Sequence, residues 1–217
     1  MTADNHSELK RKPGRPEGGS DTRDVLLNSA RNLFIERGYK KVTTRAIAEH
    51  AGTNIAMIHY YFGSKEQLYI AVLDETIKLI DDLIVEHMNN PHADSMRDII
   101  TRHYIVMSEF PEFINLMRYL QQNSMETGHD FYLDTVKNRL LPHFKTLLDN
   151  MVEKGYISQQ TDTNKLCLII LSVFSQPFSV QPLFGGEIGM ENSLQYYTGL
   201  GEFVADFVEK AIAPDEA

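Results

Sequence analysis

The chain has 217 residues, more than a common single domain and less than two full-sized ones, and 42 % apolar with 24 % charged residues is ordinary globular usage. That composition excludes a disordered chain. The longest uninterrupted apolar run, Leu166 to Leu171, falls far short of the ~20 residues that cross a bilayer, and the polar start MTADNHSELK does not read as a signal peptide. The expected compartment is therefore the cytoplasm, with no membrane partner. The single cysteine, Cys167, has no partner for an internal disulfide, and its place inside LCLII predicts a buried, unreactive thiol.

The formal net charge of -9 is unevenly distributed. Residues 1–65 carry eleven Lys and Arg against seven Asp and Glu, net +4, while residues 66–217 carry ten against twenty-three, net -13. A cationic N-terminal unit can sit on phosphate while an acidic remainder stays off it.

The first nineteen residues, ending RKPGRPEGG, are rich in Pro, Gly and charge and predict a flexible basic arm. Asp21 is placed to cap a helix whose apolar face is Leu26, Ala30, Leu33 and Phe34, and Gly38 stands where a left-handed residue would end it. Thr43 is placed to cap a short helix, Ala46 to Ala51, and Asn54 a second, Ile55 to Phe62, closed by Gly63. Only Gly52 and Thr53 separate Ala51 from the second cap. A turn this short with Gly at its corner is a helix-turn-helix, with Ile47, Ala51, Ile58 and Phe62 on the seam and Ala48 small enough for a close crossing. With Ile58 and Phe62 inward, Ala56 and Tyr60 face outward and Met57 and His59 lie on the flanks.

The segment VTTRAIAEHAGTNIAMIHYYFGSKEQLY resembles the DNA-binding signature of the TetR/AcrR family of bacterial transcriptional regulators, through roughly residues 22–70. The resemblance implies that Thr43 and Thr44 hold phosphate, with Asn54 and Lys65 also in the DNA interface. Arg45 can reach a guanine edge bidentately or settle on phosphate. Ala56 and Met57 can touch thymine methyls, and Tyr60 can stack on sugar or meet phosphate. The family usually has Tyr where this chain has His59, so base reading, phosphate contact and packing all stay open for that side chain. In the arm, Pro-Gly-Arg-Pro resembles an AT-hook, in which Arg15 would enter the minor groove; an idle solvated tail is the alternative.

Beyond the reader, Ser64 with Gln67 predicts a capped long helix through about Met88. Further helices are expected from Asp94 to Ser108, Pro111 to Gln122, about Gly128 to Glu153 with a kink at Pro142, Asp162 to Gln176, and Asn192 to Ala213. The last two carry the apolar series Leu166, Ile169, Ile170, Val173 and Leu194, Tyr197, Leu200, Val204, Phe207, Val208. The resemblance implies that these two helices pair with their mates in a homodimer, with part of the surface serving as core. It also implies a cavity among the middle helices for a hydrophobic small-molecule effector. Tyr104, Met107, Met117, Gln121, Phe144, Phe174 and Phe178 are the candidate lining residues, and His103, Arg118, His143 and Gln176 are further polar candidates. The histidine spacing predicts no metal site, and no cofactor is expected.

The sequence thus describes an all-α protein of about nine helices, with an arm over 1–19, a helix-turn-helix DNA-binding domain over 20–65, and a helical ligand-binding and dimerisation domain over 66–217. The expected function is a ligand-responsive repressor that binds a palindromic operator on double-stranded DNA as a homodimer. The alternative is a nucleoid-associated adaptor of the same fold without transcriptional output. No nucleophile–base pair, paired carboxylates or metal cluster emerges, so an enzyme is not expected.

Overall fold

The computed structural model describes residues 19–109 and 111–214, apart from the side chains of residues 19–21, 111, 112, 115, 118, 121 and 122. The basic arm, with Arg15, falls outside them except for Gly19, as do the side chains of Arg118 and Gln121. Among the described residues the chain is all-helical. The elements are α1 Gly19–Arg37, α2 Thr44–His50, α3 Ile55–Phe62, α4 Lys65–Asn89, α5 Ser95–Ser108, α6 Pro111–Gln122, α7 His129–Thr135, α8 Leu141–Glu153, α9 Thr163–Phe184 and α10 Leu194–Ile212. A 3-10 turn, Tyr39–Lys41, precedes α2, and a π turn, Val136–Leu140, joins α7 to α8.

Leu26, Ala30, Leu33 and Phe34 are buried, as the spacing in α1 predicts. The helix already runs at Gly19, so Asp21 lies within its first turn and is not its cap; a polar residue two positions inside is a weak marker of where a helix begins. Gly38 does adopt φ 75°, and its N–H closes the helix on the Phe34 carbonyl at 2.9 Å. From Ser64, whose hydroxyl accepts from the Gln67 N–H at 3.1 Å, α4 runs 25 residues and packs against α1, α3, α5 and α8. It joins the N-terminal three-helix unit to the body.

The expected helix to Glu153 is α7, the π turn and α8 in succession. The irregularity lies ahead of Pro142, in the turn that contains Asn138. Proline cannot bond to that carbonyl and its ring crowds it, and a widened turn gives the ring room.

The end expected at Gln176 is a correction: α9 continues to Phe184 through Pro177 and Pro182. Pro177 leaves the Val173 carbonyl without its usual helical donor, and the buried Tyr104 hydroxyl from α5 donates to that oxygen at 2.6 Å. The next carbonyl, Phe174, accepts from His103 Nε2 at 3.2 Å. Two neighbouring residues of α5 therefore hold the proline-bearing stretch in place, a contact that local sequence does not announce. Tyr104→Phe is expected to destabilise the fold by ~1–3 kcal/mol, because the carbonyl would stay buried without a donor. Chemical denaturation checks this, and an unchanged midpoint would return the stability to packing alone.

On α10, which packs against α5, Tyr197, Gly201, Ala205, Val208 and Ile212 are buried. A Cβ at Gly201 would stand 3.2 Å from Thr101 Cα, so glycine sets that close approach. In the two apolar series, Leu166, Ile170, Tyr197 and Val208 are core, while Ile169, Leu194 and Phe207 are exposed, joined by Leu168 and Phe203, which spacing did not single out. Cys167 is half-buried rather than fully buried, and burial raises its thiol pKa. By length and composition α9 could span a bilayer, but its apolar residues are divided between the core and an exposed stripe.

Candidate nucleic-acid interface and internal cavity

Local hydrogen bonds build the helix-turn-helix. Thr43 Oγ1 accepts from the Ala46 N–H at 3.1 Å, and α2 starts directly after this cap, two residues earlier than the apolar spacing indicates. Gly52 takes φ 64°, and the Thr53 N–H returns to the Ala48 carbonyl at 2.9 Å, which reverses the chain within the turn. Asn54 Oδ1 then accepts from the Met57 N–H at 3.3 Å, and Gly63 at φ 78° closes α3. Ile47, Ala48 and Ile58 are buried, with Ala51 and Phe62 half-buried at the seam.

The opposite face of α3 is open. Tyr60 is 76 % exposed, Ala56 and His59 are exposed, and Met57 is half-buried. His59 Nδ1 lies 2.8 Å from the Gly63 carbonyl and must donate to it, which fixes the ring against the helix end and leaves Nε2 as its remaining polar atom. Asn54 and Thr43 are exposed with their caps formed, so the Asn54 amide and the Thr43 hydroxyl proton are not taken up by those bonds. Thr44 is half-buried beside them. Arg45 is exposed on α2 and pairs with Glu49 one turn on, Nε to Oε1 at 2.8 Å, a solvated contact of small energy that a phosphate or a base can displace.

Lys65 is engaged differently from the other candidates. Its Nζ donates to the Tyr39 and Val42 carbonyls, both at 3.0 Å, and lies 4.0 Å from the centroid of the Tyr39 ring. It ties the 3-10 turn to the start of α4, so a direct phosphate contact would have to use its one remaining N–H. Lys65→Met is expected to lower the stability of the DNA-free protein by ~1–3 kcal/mol, measured by denaturant unfolding; an unchanged value would free the lysine for phosphate.

Contacts also join this unit to the body. Lys40 meets Glu126 in the segment between α6 and α7 at 2.7 Å, and Arg23 and Arg31 reach Glu75 on α4 at 3.1 and 3.6 Å. The Lys40 ammonium holds the Glu126 carboxyl below its ordinary pKa. Tyr39 packs on Tyr69, whose phenol is raised by burial.

Within the body lies a cavity of about 550 Å³, in the range that holds small molecules. Of the candidate lining residues, Met107, Met117, Phe144 and Phe174 face it, as do His103 and Gln176. Tyr104 and Phe178 do not line it: the first is committed to the Val173 carbonyl, and the second stacks on Tyr197 at 4.7 Å in the layer behind. His143 is also elsewhere, with Nδ1 2.8 Å from the buried Asp81 carboxylate that Arg139 flanks. Sequence reasoning missed the wall supplied by α4, namely Thr76, Ile77, Ile80 and Ile84, and the contribution of Tyr132, Val136 and Leu140. The three-to-four spacing of Ile77, Ile80 and Ile84 was the available signal. Burial lowers the His103 pKa to about 4, so its imidazole is neutral near neutral pH.

Residues 26–72 match the family model described as bacterial regulatory proteins, tetR family. The chain is 29 % identical over 127 residues to the HTH-type transcriptional dual regulator CecR of Shigella flexneri, covering 53 % of this chain and 56 % of that protein. It is 29 % identical over 111 residues to the HTH-type transcriptional repressor NicS of Pseudomonas putida, covering 49 % and 52 %. The matches thus span about half the length of these curated relatives. The transcriptional regulator FadR of Bacillus subtilis, solved in complex with stearoyl-CoA, has a similar fold with a TM-score of 0.67 at 15 % identity, covering 87 % of this chain and 98 % of that one.

Proposed function

Because the chain belongs to the TetR/AcrR family of bacterial transcriptional regulators, which are not enzymes, we propose that it is a ligand-responsive repressor acting as a cytoplasmic homodimer on a palindromic operator. The observation that carries this reading is the helix-turn-helix itself: two capped helices around a glycine corner leave Ala56, His59 and Tyr60 exposed on α3 and Arg45 exposed on α2. The arm over 1–19, the reader over 20–65 and the effector and dimer region over 66–217 are the proposed working parts. Arg15, Thr43, Thr44, Arg45, Asn54, Ala56, Met57, His59, Tyr60 and Lys65 form the proposed interface, with Lys65 placing the turn before α2.

The exposed apolar side chains of α9 and α10, Leu168, Ile169, Phe203 and Phe207, support a pairing of two copies through these helices. An isologous pairing presents two readers related by a twofold, which calls for an inverted repeat with half-sites about one helical turn apart. The cavity, walled in part by α4, supports an effector site, and the FadR neighbour solved with stearoyl-CoA is in keeping with an apolar ligand. Selecting DNA from a random pool with the full chain tests the proposal. Enrichment of one inverted repeat, with affinity falling as salt rises, is the expected result; a pool that returns unenriched would overturn it.

A further inference from the structure

The open face of α3 carries few groups that can tell one base pair from another. Its exposed positions are Ile55, Ala56, His59 and Tyr60, which share one side because residues one turn apart lie above one another, while Ile58 is buried in the seam. α3 holds no Lys, Arg, Asp or Glu. Hydrogen bonding from the exposed positions therefore falls to His59 and Tyr60. A phenol hydroxyl both donates and accepts, so Tyr60 does not by itself separate a donor from an acceptor.

His59 is restricted to one role. Its Nδ1 lies 2.8 Å from the Gly63 carbonyl, an acceptor, so the ring proton sits on Nδ1. In a neutral imidazole that leaves Nε2 with a lone pair only. The bond to Gly63 orients the ring against the end of α3, and His59 makes no other hydrogen bond or ion pair among the described residues.

Duplex DNA offers such an acceptor few partners. Phosphate oxygens, guanine N7 and O6, adenine N7 and thymine O4 all accept; the donors in the major groove are the N6 amine of adenine and the N4 amine of cytosine. Every base pair has one of these amines, and what differs is the strand that carries it. Where A or C on a given strand presents its amine, G or T presents a carbonyl oxygen. An acceptor fixed on the helix favours the first pair and disfavours the second, because two facing lone pairs repel and both lose their hydration.

We infer that His59 is a specificity-determining residue: its Nε2 accepts a hydrogen bond from an exocyclic amine, so that one position of each half-site takes A or C against G or T. This deepens the proposed function, since it rests on α3 entering the major groove.

Selection from a random pool at pH 8, where imidazole in water is neutral, tests it with the full chain and with His59→Phe. The unaltered protein is expected to favour A and C over G and T by about 3- to 10-fold at one position of each half-site, the range of one hydrogen bond. His59→Phe, which keeps a flat ring without the acceptor, should lose that preference and keep the rest of the repeat. A second measurement reads the same contact from the DNA side. In the selected operator the amine-bearing base is replaced by its analogue without the amine, purine for adenine or 2-pyrimidinone for cytosine. Affinity should fall by a similar factor for the unaltered protein and by less for His59→Phe. A preference that persists in His59→Phe, an equal loss over all sequences in that variant, which would put the ring on phosphate, or undiminished affinity for the amine-free operator would each overturn the inference. The amine-free operator decides the matter even if the variant does not fold. An enriched repeat without the His59-dependent preference refutes this role alone, whereas a pool that returns unenriched refutes the DNA-reading function with it.

Discussion

Acidification is expected to destabilise the protein by roughly 3 kcal/mol more than it destabilises His103→Phe. The folded-state pKa of His103, lowered to about 4 by burial, lies below the ordinary value of 6.5. The native state therefore refuses a proton that the unfolded chain accepts. The sign follows: stability is intact above pH 6.5, declines as pH falls through that value, and levels off below about pH 4. Carboxylates also titrate over part of this window, so the quantity to compare is the difference between the two proteins, from denaturant unfolding at several pH values. Parallel curves would mean that the imidazole is not held neutral by the core.

Removing Arg45 is expected to weaken operator binding by about 5- to 150-fold, the range of one good bidentate base contact. The guanidinium is exposed and held only by Glu49 on its own helix, so it can turn to DNA without disturbing the seam that Ile47 and Ile58 form. A loss confined to one base pair in each half-site places Arg45 on guanine, and a uniform loss over all sequences places it on phosphate. Unchanged affinity of Arg45→Ala would remove the residue from the interface. Glu49→Gln, which releases the guanidinium, should act in the opposite direction.

The reader was legible in the sequence because its instructions are local. Thr43, Asn54 and Ser64 each cap a helix through a bond to a residue three positions on, and Gly52 and Gly63 take the positive φ that their turns require. The later helices were legible in position and less so in extent. Pro177 reads as a stop until Tyr104, 69 residues from the carbonyl it serves, supplies the missing donor. Which side of a ring-rich helix faces a cavity is likewise a long-range matter. Tyr104 and Met107 lie one turn apart on α5, yet only Met107 lines the cavity, because the Tyr104 hydroxyl is drawn to α9. The spacing of Ile77, Ile80 and Ile84 on α4 marked an apolar face but could not say that part of it meets a cavity.

That shared helix, α4, links the cavity to the helix-turn-helix and is the proposed route of coupling between effector and DNA. From its capped start beside α3, α4 passes the cavity, so in the proposed homodimer a ligand that favours one placement of α4 would bias the spacing of the two readers. Binding linkage is reciprocal: what weakens DNA binding must itself be bound more weakly by the DNA complex. The direct measurement is the affinity of an effector found by screening, titrated into the free protein and into protein saturated with the selected operator. The expected result is weaker binding to the operator complex by about 5- to 150-fold. Equal affinity in the two titrations would contradict ligand-controlled release and leave a DNA-binding protein that no ligand in this cavity governs.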